Sequence, residues 1–321
     1  MRSLRIWVWN NLHITLLLLL VWLISFGARY NHLELVAVNS DSLSPYVASM
    51  RFWMQGWSDP PNPESDHWMW LTTMPWIWLS DSLYQLFLLR FFWGSLIAPI
   101  GALCFFLLAP KNRYLGSAAV GFLLALDKGL IDTLVSSFRG YMAPEFIALE
   151  SLAIVLNEKG YRYGLFASLF FCIVAAGHHP MALASLAGWF LYALHAKMSL
   201  KEWGICFAIL FLSSVFRLIW LFEIAQCDAG GLQCFEIIAM GSSETALTIK
   251  EMFVRIVHDR FLTEIGWVSI CVVIGVYCAR KHRITLWLIG GIIGLFCLGV
   301  SISTLRPYHF RIFALPMFLA S

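Results

Sequence analysis

Residues 14–26 read ITLLLLLVWLISF, an unbroken apolar run that follows Arg2 and Arg5 near the N-terminus. A membrane-spanning helix needs roughly 20 apolar residues, and this run with its apolar neighbours supplies that length. Basic residues before an apolar run are also typical of a secretory signal. However, no small-x-small cleavage site follows Phe26, since the next residues read GARY. We therefore predict an uncleaved first membrane span.

The composition of the whole chain supports the same environment. Hydrophobic residues make up 60% of the 321 residues and charged residues only 13%, with a mean hydropathy of +0.75. A soluble globular chain carries about 25% charged residues. The 15 Trp and 25 Phe fit a membrane protein, because aromatic rings collect at the headgroup level. The net charge of +3, without a dense basic run, argues against a nucleic-acid partner.

Further apolar segments recur along the chain, which predicts an all-α polytopic membrane protein with about ten transmembrane helices. The predicted spans are residues 7–27, 83–109, 114–131, 141–157, 163–179, 181–196, 203–222, 262–280, 284–303 and 308–321. Together they form a single multi-span membrane domain over residues 1–321.

Lysine and arginine in short loops indicate which end of each span is cytoplasmic. The basic clusters are Arg2 and Arg5, Lys111 and Arg113, Lys159 and Arg162, Lys197 and Lys201, and Arg280, Lys281 and Arg283. With the predicted spans, all five clusters fall on the same side of the membrane. We therefore predict a cytoplasmic N-terminus and a multi-pass protein of a bacterial inner (plasma) membrane.

Two long loops, residues 28–82 and 223–261, fall on the opposite face and are rich in Asp and Glu. The first loop contains residues 44–57, whose apolar side chains recur at helical spacing after Ser44 and Pro45. It also contains residues 68–79, which are apolar but too short to span. Such segments favour helices that lie in the membrane interface.

The second long loop contains Cys227 and Cys234, which bracket the sequence DAGGLQ. An oxidising extracytoplasmic compartment would let these two cysteines form a disulfide, although two free thiols are the alternative. A zinc site is disfavoured, because no second Cys or His pair lies nearby at ligand spacing.

Polar residues that the membrane does not explain all fall at the predicted extracytoplasmic surface. We interpret Asp41, Asp66 and His67 as catalytic candidates, and Arg139, His178, His179, Arg306, His309 and Arg311 as candidate substrate-binding residues. A carboxylate can act as the general base for an attacking hydroxyl, while arginines and a histidine can hold a phosphate. These residue types suit transfer from a lipid-linked phosphate, and no nucleotide-binding motif is present.

Each of these candidates also has a purely structural interpretation. Asp41 could cap the helix that starts near Ser44, and Asp66 with His67 could be a solvated helix start. The two histidines at 178 and 179 could be turn residues at the headgroups. Arg306 and Arg311 are cations on the face that usually lacks them, which favours a role in anion binding.

This layout resembles the GT-C superfamily of membrane glycosyltransferases, which take sugars from polyprenyl-phosphate carriers on the extracytoplasmic side. The matching features are a cytoplasmic N-terminus, a first span, and a long first loop with Asp41 soon after that span and interfacial helices beyond it. The late RPYHFR stretch resembles the basic motif of the family before a late span.

The resemblance implies that Asp41 is the catalytic or metal-binding carboxylate and that Arg306, His309 and Arg311 contact the carrier phosphate. Many members have two adjacent acids in the first loop, whereas Asp41 is followed by Ser42. A divalent cation is thus one possible cofactor, and no other is evident. The implied partners are a lipid-linked sugar donor, membrane lipids and an extracytoplasmic acceptor (a glycan, lipid or protein).

Two other functions stay open at the level of sequence. A transporter or flippase of an anionic lipid or small molecule would need charged groups near the middle of the membrane. A non-catalytic subunit of a membrane complex would account for the abundant Trp and Phe, whose rings would face partner helices.

Overall fold

The computed structural model describes residues 12–31, 50, 67–109, 111–127, 130–131, 142–178, 180–225 and 284–302. Within these residues the chain is helical and contains no strand. The helices are α1 (Leu12–Tyr30), α2 (His67–Trp78), α3 (Leu83–Gly94), α4 (Ile97–Leu108), α5 (Arg113–Leu126), α6 (Ala143–Glu158), α7 (Tyr163–His178), α8 (Ala184–His195), α9 (Leu200–Ala225) and α10 (Ile284–Ile302). A short 3₁₀ helix, Pro180–Leu183, joins α7 to α8.

Two stretches of the described residues are long and apolar enough to cross a membrane: Leu12–Tyr30 and Leu83–Leu108. The total of about ten spans therefore stays a prediction. The helical nature of segment 68–79 is confirmed by α2, while the predicted spans 262–280 and 308–321 lie outside the described residues.

The predicted span 83–109 consists of two helices, α3 and α4, which meet at residues 95–96. Pro99 explains the break, because its ring would clash with the carbonyl of residue 95 in a continuous helix and it has no N–H to donate there. Ser95 ends α3, and its hydroxyl donates to the Phe91 carbonyl at 2.5 Å.

Helix α1 differs from a surface helix of a water-soluble protein, because its exposed side is apolar and its buried side includes polar residues. We call this its inverted polarity. Its buried residues are Ile14, Val21, Ser25 and Arg29. Its outward side carries Leu16, Leu19, Leu20 and Leu23, which are each about half exposed, at 53%, 52%, 48% and 50%. The side chains Ser25 and Arg29 thus face the protein, while a stripe of leucines faces its surroundings.

The helices pack around two main groups of buried side chains. One group lies between α1, α4 and α5 and includes Val21, Ala98 and Leu124. The other lies between α6, α7, α8 and α10 and includes Trp189 and Trp287. Small residues allow close approach of α8 and α10, since a Cβ atom on Gly188 would lie 2.1 Å from the Trp287 carbonyl oxygen.

Helix α9 begins with a reciprocal capping box. The Glu202 carboxylate accepts from the Ser199 backbone N–H at 2.7 Å and from its hydroxyl at 2.8 Å, and the Glu202 N–H donates to the Ser199 hydroxyl at 3.3 Å. These hydrogen bonds, the backbone one foremost, hold the pKa of Glu202 below its ordinary value of 4.5.

We predict that Glu202→Gln lowers the stability of the protein at neutral pH by roughly 0.5–1 kcal/mol. A carboxylate with a lowered folded-state pKa stabilises the fold above its ordinary pKa of 4.5, and this contribution is lost as the pH falls through the folded value. Unfolding in detergent measured from neutral to acidic pH checks this. The wild-type and Gln curves should converge at acidic pH, and a constant difference would contradict the assignment.

Candidate buried charged site

A buried ion pair joins α3 to the first turn of α6. The Arg90 guanidinium donates through Nη1 to Glu145 Oε1, and the two side chains are only 2% and 3% exposed. Arg90 lies seven residues into α3, which corresponds to about 10 Å along the helix. Charged side chains this deep in a helix bundle rarely serve packing alone.

A second buried arginine, Arg29, lies at the end of α1. Its Nη1 donates to the Ser25 carbonyl at 2.9 Å and to the Ser25 hydroxyl at 2.5 Å. Arg29 also interacts electrostatically with Glu145, Arg90 and Asp127. It therefore lies within electrostatic range of the Arg90–Glu145 pair, near the C-cap residue of α5 and the first turn of α6.

His178, the last residue of α7, lies near Arg90 and is fully buried. The Met142 backbone N–H donates to its Nδ1 at 3.2 Å, and its Nε2 lies 2.6 Å from the Thr72 hydroxyl of α2. Since a backbone N–H can only donate, Nδ1 carries no proton, and Nε2–H is the donor to Thr72. The ring also stacks on Phe146 at 5.3 Å.

We call Arg29, Arg90, Glu145 and His178 the buried charged cluster. His178 interacts electrostatically with Arg90, which links the ring to the ion pair. With both ring nitrogens occupied, His178 connects α2, α6 and α7 as a neutral imidazole. The cluster thus fixes the helix ends that surround it and attaches the apolar helix α2 to the bundle.

Most of the predicted site residues lie outside the described residues. These are Asp41, Asp66, Arg139, His179, Arg306, His309 and Arg311, together with the disulfide candidates Cys227 and Cys234. His67 is the first residue of α2. His178 is the predicted site residue whose side chain is described, and it lies inside the bundle beside α2 and not at a surface turn.

No group of three or more His, Cys, Asp or Glu that could hold a metal ion occurs among the described residues. Cys104, Cys172 and Cys206 are free and buried. The carboxylate that the resemblance assigns to metal binding, Asp41, lies outside this part of the chain.

Sequence reasoning did not single out Arg90, Glu145 or Glu150, although a signal was present. Each is a charged residue inside an apolar segment, as in FLLRFFW around Arg90. Charge within a predicted span is a recognised indicator of a functional or tightly packed position. The prediction concentrated instead on polar residues between the spans.

No protein-family model matches the chain, and neither a curated protein nor a solved structure matches it.

Proposed function

We propose that the chain is a multi-span membrane protein that carries out glycosyl transfer from a lipid-linked phosphate donor. The reaction would take place at its polar end, by which we mean the end of the bundle that contains the buried charged cluster. The observation that supports membrane insertion is the inverted polarity of α1, with leucines outside and Arg29 inside. Exposed apolar side chains on α9, such as Phe207 at 60% and Phe211 at 71%, extend the same pattern. A bilayer is the solvent that suits such a surface.

The positions of charged residues at the helix ends support the proposed orientation. The buried charged cluster joins the end of α1, the end of α7 and the start of α6. The basic residues Lys111, Lys159 and Lys197 fall at the other ends of the helices. By the preference for positive cytoplasmic loops, the cluster belongs to the extracytoplasmic side, in a bacterial inner membrane.

The transfer reaction uses the residues that the resemblance assigns. The Asp41 carboxylate takes the proton from an acceptor hydroxyl, whose oxygen forms a bond to the anomeric carbon of the sugar. The bond from that carbon to the phosphate oxygen breaks, and the carrier phosphate leaves with the electron pair. Arg306, His309 and Arg311 stabilise the charge on the leaving phosphate.

The remaining candidate residues have supporting roles in the proposed reaction. Asp66 and His67 would assist at the catalytic end, and Arg139 and His179 would contact the donor. The attachment of α2 through His178 and Thr72 supports this arrangement, because it holds an apolar helix beside the polar end, where the lipid chain of a donor would lie.

We expect Asp41→Asn to lower transfer of sugar from a polyprenyl-phosphate donor by roughly 10²–10⁴-fold, as loss of a general base does. The measurement is product formation by purified protein in lipid vesicles, with donors carrying different sugars. Asp81→Asn is the matched control, because Asp81 belongs to the same loop and is exposed. Full activity of a folded Asp41→Asn protein would remove the proposed role.

Transport of an anionic lipid or small molecule is a second candidate, favoured by the charged groups inside the bundle. Arg90 and Glu145 are buried between helices, as a transport pathway through the membrane would require. Uptake or lipid translocation by sealed vesicles without sugar transfer would support this candidate over the transferase. A non-catalytic subunit would show neither activity and would purify with a stoichiometric partner.

A further inference from the structure

A second polar centre lies in the middle of the bundle, away from the buried charged cluster. Glu150 occupies the middle of α6, five residues beyond Glu145, and is fully buried. Three other helices contribute polar groups around it: Cys172 from α7, Ser185 from α8 and Trp287 from α10. Neither the predicted site nor the transfer reaction uses this centre.

Among the described residues, the Glu150 carboxyl group contacts neutral groups. Trp287 Nε1 donates to Oε1 at 2.8 Å, and Ser185 lies close enough to interact with the carboxyl. The Ser185 hydroxyl lies 3.0 Å from the Cys172 sulfur and donates to the Ala182 carbonyl at 2.9 Å. The Oε2 atom is buried and has no hydrogen-bond partner among the described residues.

Glu145 and Glu150 lie in the same helix and are both buried, but they differ in whether a cation lies beside the carboxyl group. Glu145 has the Arg90 guanidinium as its partner. Glu150 has no cation near it in the described part of α4, α7, α8 or α10, and the titratable group that faces it is the Cys172 thiol. An ionised carboxylate that is buried without a cation is strongly disfavoured, and proteins avoid this state by protonating the group.

We propose that Glu150 is a proton-binding site in the interior of the bundle, which holds its carboxyl group as the neutral acid at neutral pH. The proton makes the packing of α10 against α6 depend on the state of this carboxyl, since Trp287 of α10 binds it directly. The proposal does not depend on glycosyl transfer, because it rests on the burial and the contacts of Glu150 alone.

Infrared spectroscopy of the full-length protein in lipid nanodiscs tests the proposal. We expect the wild-type protein at neutral pH to show the C=O stretch of a protonated carboxylic acid, which shifts in D₂O. The band should be absent from Glu150→Gln, which mimics the neutral acid, and present in the matched variant Glu145→Gln. Absence of the band from the wild type, or its persistence in Glu150→Gln, would overturn the proposal.

A second variant keeps the test valid if Glu150→Gln does not fold. Trp287→Phe retains the acid and removes its hydrogen-bond donor, so the same band should move to higher frequency. A band that stays unchanged in Trp287→Phe arises from another carboxyl group and would contradict the assignment. These readouts do not require any activity of the protein.

Discussion

Replacing Glu145 with leucine should lower the free energy of unfolding by roughly 3–5 kcal/mol, the usual cost of breaking a buried ion pair from one side. The substitution leaves the Arg90 guanidinium charged and 2% exposed. It also removes the carboxylate with which Arg29 interacts. Unfolding by increasing SDS in mixed micelles, followed by circular dichroism, measures the loss.

Two further variants distinguish the loss of the ion pair from a nonspecific loss of stability. The double variant Arg90→Met with Glu145→Leu should recover most of the lost stability, because the cation that lost its carboxylate is removed as well. Arg162→Ala removes the cation of a surface ion pair with Glu202. The Arg162 side chain in this pair is 83% exposed. This substitution should cost no more than about 1 kcal/mol. A similar loss for Glu145→Leu and Arg162→Ala would contradict the importance of the buried pair.

Replacing Gly188 with alanine should destabilise the contact of α8 with α10 by roughly 1–3 kcal/mol or more, the range for overpacking a well-packed contact. An added Cβ would lie 2.1 Å from the Trp287 carbonyl oxygen, and a Cβ on Gly290 would lie 2.6 Å from the Gly188 Cα atom. Backbone faces backbone on both sides, so no flexible side chain can move away. Thermal unfolding in detergent measures the effect.

Gly204 provides the matched control for this prediction. It lies within helix α9, and a Cβ added there would meet nothing within 4 Å. Gly204→Ala should therefore leave the stability unchanged or raise it by up to about 1 kcal/mol, because alanine favours the helix. Equal destabilisation by Gly188→Ala and Gly204→Ala would contradict close packing as the cause.

The sequence predicted the helices well where apolar length alone decides them. The predicted spans 141–157 and 163–179 became α6 (Ala143–Glu158) and α7 (Tyr163–His178), because apolar segments bounded by charged turns leave little choice of helix ends. The break at residues 95–96 escaped prediction. The signal for it was present in the sequence, because Pro99 removes the hydrogen bond to the residue 95 carbonyl, but the prediction relied on apolar length alone.

The buried polar groups could be predicted only in part. Arg90 and Glu145 are 55 positions apart in the sequence, and no local pattern indicates that they form a pair. The same holds for Thr72 and His178, which are 106 positions apart. Sequence position identified His178 as a residue at a helix end, but only the packing of α2 and α6 against α7 shows what its ring binds.

We propose that the apolar outside of the bundle faces lipid while its charged side chains face inward. A nitroxide spin label at Leu20, with Val21 as the buried neighbour, tests it in lipid vesicles. We expect the Leu20 label to collide often with oxygen and rarely with a water-soluble nickel complex, while the Val21 label is protected from both. Frequent collisions of the Leu20 label with the nickel complex would contradict it.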